Sequence, residues 1–326
     1  MENHSTTAVA VSDLVKHFGE TRAVDGVAFE VPTGTVTALL GPNGAGKTTT
    51  VRMLATLLRP DSGDATVAGV DVRQDPDGVR AKIGLTGQDT AVDELLTGRE
   101  NLVLIARLQR MDKARAEQRA AELLARFDLS AAADRKADTY SGGMRRRLDL
   151  AASMINEPEI LFLDEPTTGL DPRSRIDMWH QIEELVDRGT TVLLTTQYLD
   201  EADQLADDII VIDHGKVIAR GTSDELKSQV GGQRLEFKFH DVAAIDKAAA
   251  AITGTGCEVV DRDDDEKTLN VALTDGPSQI ATLIQRVEQG GTEIAEVFVH
   301  RPTLDDVFLK LTGQHVEEDD AEGDDH

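Results

Sequence analysis

Apolar and polar positions change their spacing repeatedly along this chain, and each change predicts an element. Residues 36–40, Val-Thr-Ala-Leu-Leu, have the length and texture of a buried strand. Residues 83–88 form a short strand-like run that ends in a polar loop at Gln88. From 93 to 129 the period becomes helical: Leu102, Ile105, Ala106 and Gln109 share one face, and 120–127 repeats Ala and Leu at helical spacing. An apolar helix is expected over 148–155, a buried strand over 160–163, a helix from about 174 to 188, and another buried strand over 191–196. Beyond about 225 the texture changes. Residues 235–239 alternate like a half-buried strand, 242–252 are Ala-rich and helical, and 258–260 and 269–273 are short strands around an acidic turn. A helix over 280–287 and a strand over 295–299 complete a βαββαβ order, which predicts a small ferredoxin-like α+β unit.

Composition narrows the setting. The chain has 326 residues, enough for one large domain and a smaller one, and its core must be aliphatic because aromatic residues make up only 3%. No apolar run approaches the ~20 residues that span a bilayer, and the first residues lack a signal-peptide pattern, so a cytoplasmic protein is expected. The single cysteine, Cys257, has no disulfide or metal-ligand companion and reads as a small core residue. Sixty acidic residues against 34 basic ones give a formal charge of −26, spread along the chain, and lysine is the scarcer base. Such a surface resembles cytoplasmic proteins of salt-in halophiles, where screening removes the repulsion, the alternative being a soluble acidic protein without that adaptation. No basic face is evident, so nucleic acid is not an expected partner.

The most specific chemistry lies directly after the first buried strand. Gly41, Pro42, Asn43, Gly44, Ala45, Gly46, Lys47, Thr48 and Thr49 read as a glycine-rich loop between a strand and a helix. Glycines let successive amides turn onto phosphate oxygens, and the helix N-terminus adds positive potential. Lys47 supplies a full charge to the β- and γ-phosphates, and the Thr48 hydroxyl is placed to ligate Mg²⁺. A nucleoside triphosphate site is therefore expected. Asp164 and Glu165 close the strand 160–163, and open α/β sheets bind ligands at that edge. Asp164 is expected to hold Mg²⁺, and Glu165, pointing to the other side of the strand end, to polarise an attacking water. Ser141 reads as a helix N-cap with Gly142 and Gly143 leaving amides exposed, a second anion site.

The order of these segments resembles the ATP-binding subunit of an ABC transporter over about residues 8–225. The matching parts are the phosphate loop, Gln88, Ser141-Gly142-Gly143, the acid-tipped strand and the turn Gly169-Leu170-Asp171. Within that family the chain is most similar to the daunorubicin-resistance type of drug-export ATPase, through residues 140–147, 194–203 and 304–308. The resemblance implies an α/β P-loop ATPase domain, with a mixed sheet core and a helical subdomain, followed by the small α+β domain. It implies that Gln88 reaches Mg²⁺ or the water from a loop lining a groove for a membrane-subunit helix. It also implies that Phe18 stacks on adenine, and that Asp171 crosses an interface between two head-to-tail copies. In such a pair each Ser141-Gly142-Gly143 segment covers the nucleotide of the other copy. Most relatives carry histidine where Gln197 stands; the drug-export type tends to carry Gln, which donates and accepts hydrogen bonds without titrating. Met144 and Tyr140 also depart from the commoner pattern, and Arg145, Arg146 and Arg147 are expected to point apart, with one or two of them pairing with nearby acids, outside the site.

The expected organisation is an ATP-binding domain over 1–228, with its helical subdomain about 89–158, a C-terminal domain over 229–313 and a disordered acidic tail over 314–326. The expected cofactors are ATP and Mg²⁺. The expected partners are a separate integral-membrane permease and a second copy of the chain, which places the protein at the inner face of the cell membrane. The alternatives are a soluble ATPase of the same family acting on chromosomes or ribosomes, and a non-hydrolysing ATP sensor. The stretch between Lys47 and Ser141 leaves no room for long coiled coils, and the intact Asp164–Glu165 pair argues against a sensor.

Overall fold

Fourteen strands and eleven α-helices follow one another in the described part of a computed structural model, residues 7–87, 91–230, 233–273 and 278–312. Contacts divide the chain into two compact units, with the boundary between Ser223 and Asp224.

The first unit opens with the long strands β1 (Thr7–Phe18) and β2 (Thr21–Pro32), then β3 (Val36–Leu40) and α1 (Lys47–Leu54). Next come β4 (Ser62–Val67), β5 (Val70–Asp71), α2 (Pro76–Arg80) and β6 (Ile83–Thr86). An all-helical stretch holds α3 (Gly98–Leu108), α4 (Lys113–Arg126) and α5 (Gly142–Ser153). The unit ends with β7 (Ile160–Asp164), α6 (Pro172–Asp187), β8 (Thr191–Thr196), α7 (Leu199–Leu205), β9 (Asp208–Asp213) and β10 (Lys216–Gly221). Its two sheets have the orders β2-β1-β4-β5, all antiparallel, and β10-β9-β3-β8-β7-β6, parallel except for the β10-β9 pair. Every residue of β3, β7 and β8 is buried, as central strands covered on both faces require. Leu14, Val27, Val51, Leu54, Phe162 and Ile210 belong to one apolar cluster that joins the two sheets and α1.

Several sequence expectations gain detail. The helical period over 93–129 is two helices, because Asp112 caps a new start by accepting from Arg115 N. Helix α6 begins at Pro172 rather than 174, since Asp171 caps it and proline suits the first helical turn. Strands β1 and β2 were not anticipated: their pairing shifts register four times, although Val27, Phe29 and Val31 keep a two-residue period of buried positions in β2.

In the second unit, α8 (Ser223–Val230) starts at the boundary and leads to β11 (Arg234–Phe239), α9 (Val242–Ile252) and β12 (Glu258–Asp263). It continues through β13 (Thr268–Ala272), α10 (Ser278–Gln289), β14 (Ile294–His300) and α11 (Leu304–Thr312). The sheet order β12-β13-β11-β14, antiparallel throughout, is that of a ferredoxin-like sandwich. Leu235, Phe237, Phe239, Ile245, Leu269, Val271 and Leu283 form its core, and Cys257 packs against this core half-buried. Part of the expected acidic turn belongs to β12, which runs on to Asp263. The expected tail over 314–326 and Gln88 lie outside the described residues.

Candidate functional site

Strand β3 delivers the chain to the glycine-rich loop, and two glycines there are dictated by close approach. A Cβ on Gly41 would stand 2.1 Å from the Ile212 carbonyl oxygen, and one on Gly46 2.3 Å from that of Ala23. Gly46, the residue before α1, also has a φ of 104°, in the left-handed region that favours glycine. The loop closes on itself around Lys47, which is 4% exposed. Its Nζ donates to the carbonyls of Gly41 (2.7 Å) and Pro42 (3.1 Å) and lies 3.8 Å from Glu165 Oε1. Burial lowers the Lys47 pKa, and the neighbouring Glu165 and Asp164 carboxylates offset part of that effect.

Strand order brings the acids to this loop. Strand β8 lies between β3 and β7, and Thr195 on β8 donates to Asp164 Oδ1 at 2.7 Å. The same oxygen accepts from Thr48 Oγ1 at 2.9 Å. A hydroxyl beside a buried carboxylate is an oxygen donor set suited to a hard cation such as Mg²⁺, which takes few protein ligands and keeps waters and substrate phosphates. Glu165 leaves the strand with a φ of 51°, a left-handed conformation that costs a non-glycine residue about 1–2 kcal/mol. Strand alternation alone would send Asp164 and Glu165 to opposite sides. Instead both carboxylates act on Lys47, and the Glu165 Oε2 accepts from Thr168 at 3.4 Å.

Arg146 was expected to lie outside the site and does not. It is buried at 9% exposure, and its guanidinium donates to the carbonyls of Pro166 (2.8 Å), Gly87 (3.0 Å), Asp164 (3.4 Å) and Glu165. It thus fixes the backbone turn that carries the two acids. Arg145 and Arg147 pair with Glu94 and Asp128, as expected. No periodicity could have singled out the middle arginine; only its place on the inner face of α5 does.

Glu201 is a second residue that sequence reasoning did not place in the site. It is wholly buried, and its Oε1 accepts from Thr167 Oγ1 (2.8 Å) and Trp179 Nε1 (3.2 Å). Burial pushes its carboxyl above the ordinary glutamate value, against the pull of these donors. It anchors Thr167, two positions after Glu165, to α6 and α7.

The remaining expected residues sit on other elements. Ser141 caps α5 by accepting from Met144 N at 3.3 Å, and a Cβ on Gly143 would come within 2.7 Å of Ser174 Oγ, so α5 meets the start of α6 closely. Asp171 is the α6 cap, accepting from the Arg173 and Ser174 amides and the Ser174 hydroxyl, and these bonds lower its pKa. Gln197 follows β8 directly and is half-buried. Phe18 ends β1 at 51% exposure, with Lys16 Nζ 5.8 Å from its ring centre. Among the described residues, the hydrogen bonds that join Thr48, Asp164, Thr195 and Glu165 do not include Ser141, Asp171 or Phe18. Among them, too, no helix is long and apolar enough to cross a membrane.

The chain is similar in sequence and in fold to known proteins. The family model "ABC transporter" matches residues 24–168, and "ATP-binding protein DrrA1-3-like, C-terminal domain" matches residues 221–312. The chain is 52% identical to the daunorubicin/doxorubicin resistance ATP-binding protein DrrA of Streptomyces peucetius, over 99% of this chain and 97% of that one. It is 46% identical to the doxorubicin resistance ATP-binding protein DrrA of Mycobacterium tuberculosis, over 94% and 93%. It is 38% identical to the Nod factor export ATP-binding protein I of Ralstonia nicotianae, over 96% of each. A solved ATP-binding subunit of an ABC transporter superposes with a TM-score of 0.61 at 29% identity, covering 68% of this chain and 93% of that one. A dimeric ATP-binding cassette bound to ADP and Pi superposes with a TM-score of 0.60 at 26% identity, covering 66% and 98%.

Proposed function

The chain belongs to the ATP-binding subunits of ABC transporters, and from that premise we propose that its ATP hydrolysis drives a separate membrane-spanning permease that exports hydrophobic compounds of the drug type. The observation that carries the reading is the meeting of Lys47 and Thr48 with Asp164 and Glu165 at one sheet edge. The names of the drug-resistance relatives support the export direction and the class of cargo.

Lys47 leaves the Gly41 and Pro42 carbonyls to pair with the β- and γ-phosphates of ATP, which the loop amides after Pro42 cradle. Thr48 and Asp164, with Gln88, are the residues that would hold Mg²⁺, and the ion would supply charge neutralisation to the phosphates. Glu165 accepts the proton of the attacking water. Gln197 orients that water by hydrogen bonding, and Phe18 offers its exposed ring to adenine. Ser141, Gly142 and Gly143 cover the γ-phosphate held by a second copy, and Asp171 lies in the turn between the two. ATP favours the closed pair over the open one, and that difference in affinity is the driving force on the permease. The dimeric solved relative supports the pairing.

We place the protein in the cytoplasm, peripheral at the inner membrane face through its permease and without a nucleic-acid partner. The charge of −26 supports a high-salt cytoplasm. The test is purification of the tagged full chain from detergent-solubilised membranes at high salt. Retention of a polytopic membrane protein at a ratio near one to one supports the reading. Recovery only in the soluble fraction, alone or with ribosomes or DNA, rejects it.

A further inference from the structure

The second unit holds a cavity of about 350 Å³ that shares no residue with the ATP site. Its floor is the sheet face opposite the apolar core. Strand pairing sets Arg234 across from His300 and Glu236 across from Asn270, so these four side chains share one face. Leu235, Phe237, Leu269 and Val271 fill the other face with the core. The wall is the link from β14 into α11, Arg301 to Thr303, with Asp306 in the first turn of that helix.

Both acids of the cavity are engaged. Glu236 Oε2 lies 3.2 Å from His300 Nε2. Asp306 Oδ2 accepts from the amide (2.8 Å) and the hydroxyl (2.9 Å) of Thr303, and the Asp306 amide donates back to that hydroxyl in a reciprocal helix cap. The two arginines differ. Among the described residues, neither the Arg234 nor the Arg301 guanidinium has a hydrogen bond or an ion pair. The chain carries 60 acidic residues, yet two guanidinium forks at one cavity stay open.

We propose that this cavity binds a small molecule through an oxyanion, a phosphate or carboxylate group held by Arg234 and Arg301. A guanidinium fork matches either group with two parallel hydrogen bonds. Glu236, Asp306 and Asn270 face the rest of the ligand, so it carries hydroxyl or amine donors beside the anion. The volume lies at the low end of the roughly 300–1,000 Å³ of ligand cavities, which fits a small metabolite.

The test uses the full chain with its ATP site filled by Mg²⁺ and a non-hydrolysable ATP analogue. Inorganic phosphate and malate, each an oxyanion that also carries a donor, are titrated in while NMR follows the His300 ring, assigned by the signal missing from His300→Gln. We expect saturable shifts with an affinity in the millimolar range or tighter. The combined change Arg234→Gln and Arg301→Gln should weaken binding about tenfold or more, and each single change about threefold or more. Lys238→Gln removes a charge from the same sheet face outside the cavity and should leave affinity within about twofold. Thermal melting checks folding, and the single changes stand in should the combined variant not fold. Tighter phosphate identifies a phosphoryl compound as the ligand, and tighter malate a carboxylic acid. No saturable shift with either probe, native affinity in the arginine variants, or an equal loss in Lys238→Gln overturns the site.

Discussion

Thr48 and Asp164 meet at 2.9 Å through a hydroxyl-to-carboxylate hydrogen bond, although 116 positions separate them in the chain. The bond joins α1 to the end of β7, and β8 lies between β7 and the strand β3 that leads into the loop before α1. Thr195 on that intervening strand donates to the same Asp164 oxygen, so the carboxylate is aimed before any ligand arrives. Pre-aimed groups of this kind spare the cost of reorganising during the reaction.

Glu165→Gln should leave ATP binding intact while kcat falls by about 10²–10⁴, the usual contribution of a positioned general base. The measurements are phosphate release and ATP binding, the latter followed by fluorescence of the single tryptophan, Trp179. Turnover within a few-fold of native would remove Glu165 from the role of base.

Arg146→Met keeps the aliphatic stem and deletes the donors to four carbonyls. Leaving buried carbonyls unsatisfied costs about 3 kcal/mol here. At about 2–4 °C per kcal/mol for a domain of this size, calorimetry should find Tm lower by roughly 6–12 °C. A shift below about 2 °C would mean that water replaces the guanidinium without loss.

Glu201→Gln should change the dependence of stability on pH. Burial raises the Glu201 carboxyl above its ordinary value of 4.5, so the folded chain keeps a proton that the unfolded chain releases. The stability from this group is therefore full below 4.5 and declines as pH rises through the raised value. The glutamine variant cannot ionise, so its Tm relative to native should climb as pH rises above 4.5. A constant difference across that range would show that Glu201 ionises as readily folded as unfolded.

Potassium chloride should stabilise the protein. The excess of acidic over basic residues leaves a charge of −26 whose self-repulsion is screened as the Debye length falls from about 10 Å at 0.1 M to about 3 Å at 1 M. Tm should rise monotonically from 0.1 M to 2 M KCl, by more than the roughly 2–4 °C that 1 kcal/mol represents. A flat or falling profile would reject adaptation to a high-salt cytoplasm.

The sequence by itself determined the elements whose chemistry is local. The phosphate loop was legible because glycine, lysine and threonine at fixed spacing between a strand and a helix satisfy one requirement, the wrapping of backbone amides around phosphate. The buried strands β3, β7 and β8 were legible because central parallel strands need apolar residues on both faces. The ferredoxin-like order of the second unit followed from alternation in Leu235 to Phe239 and helical spacing in the Ala-rich stretch after it.

Tertiary structure alone decided which groups meet. Strand β1 escaped detection because bulges interrupt its alternation, whereas the alternation of Val27, Phe29 and Val31 in β2 was a local signal that went unread. Arg146 reads like either flanking arginine, yet it alone is turned inward to four carbonyls, since helix rotation and packing distinguish three consecutive identical side chains. Glu165 reaches Lys47 through a left-handed turn that no residue preference announces. Glu201 is ordinary helix sequence until burial raises its pKa. Local propensity acts within a few residues, whereas burial, charge environment and hydrogen-bond partners depend on parts of the chain that only folding brings together.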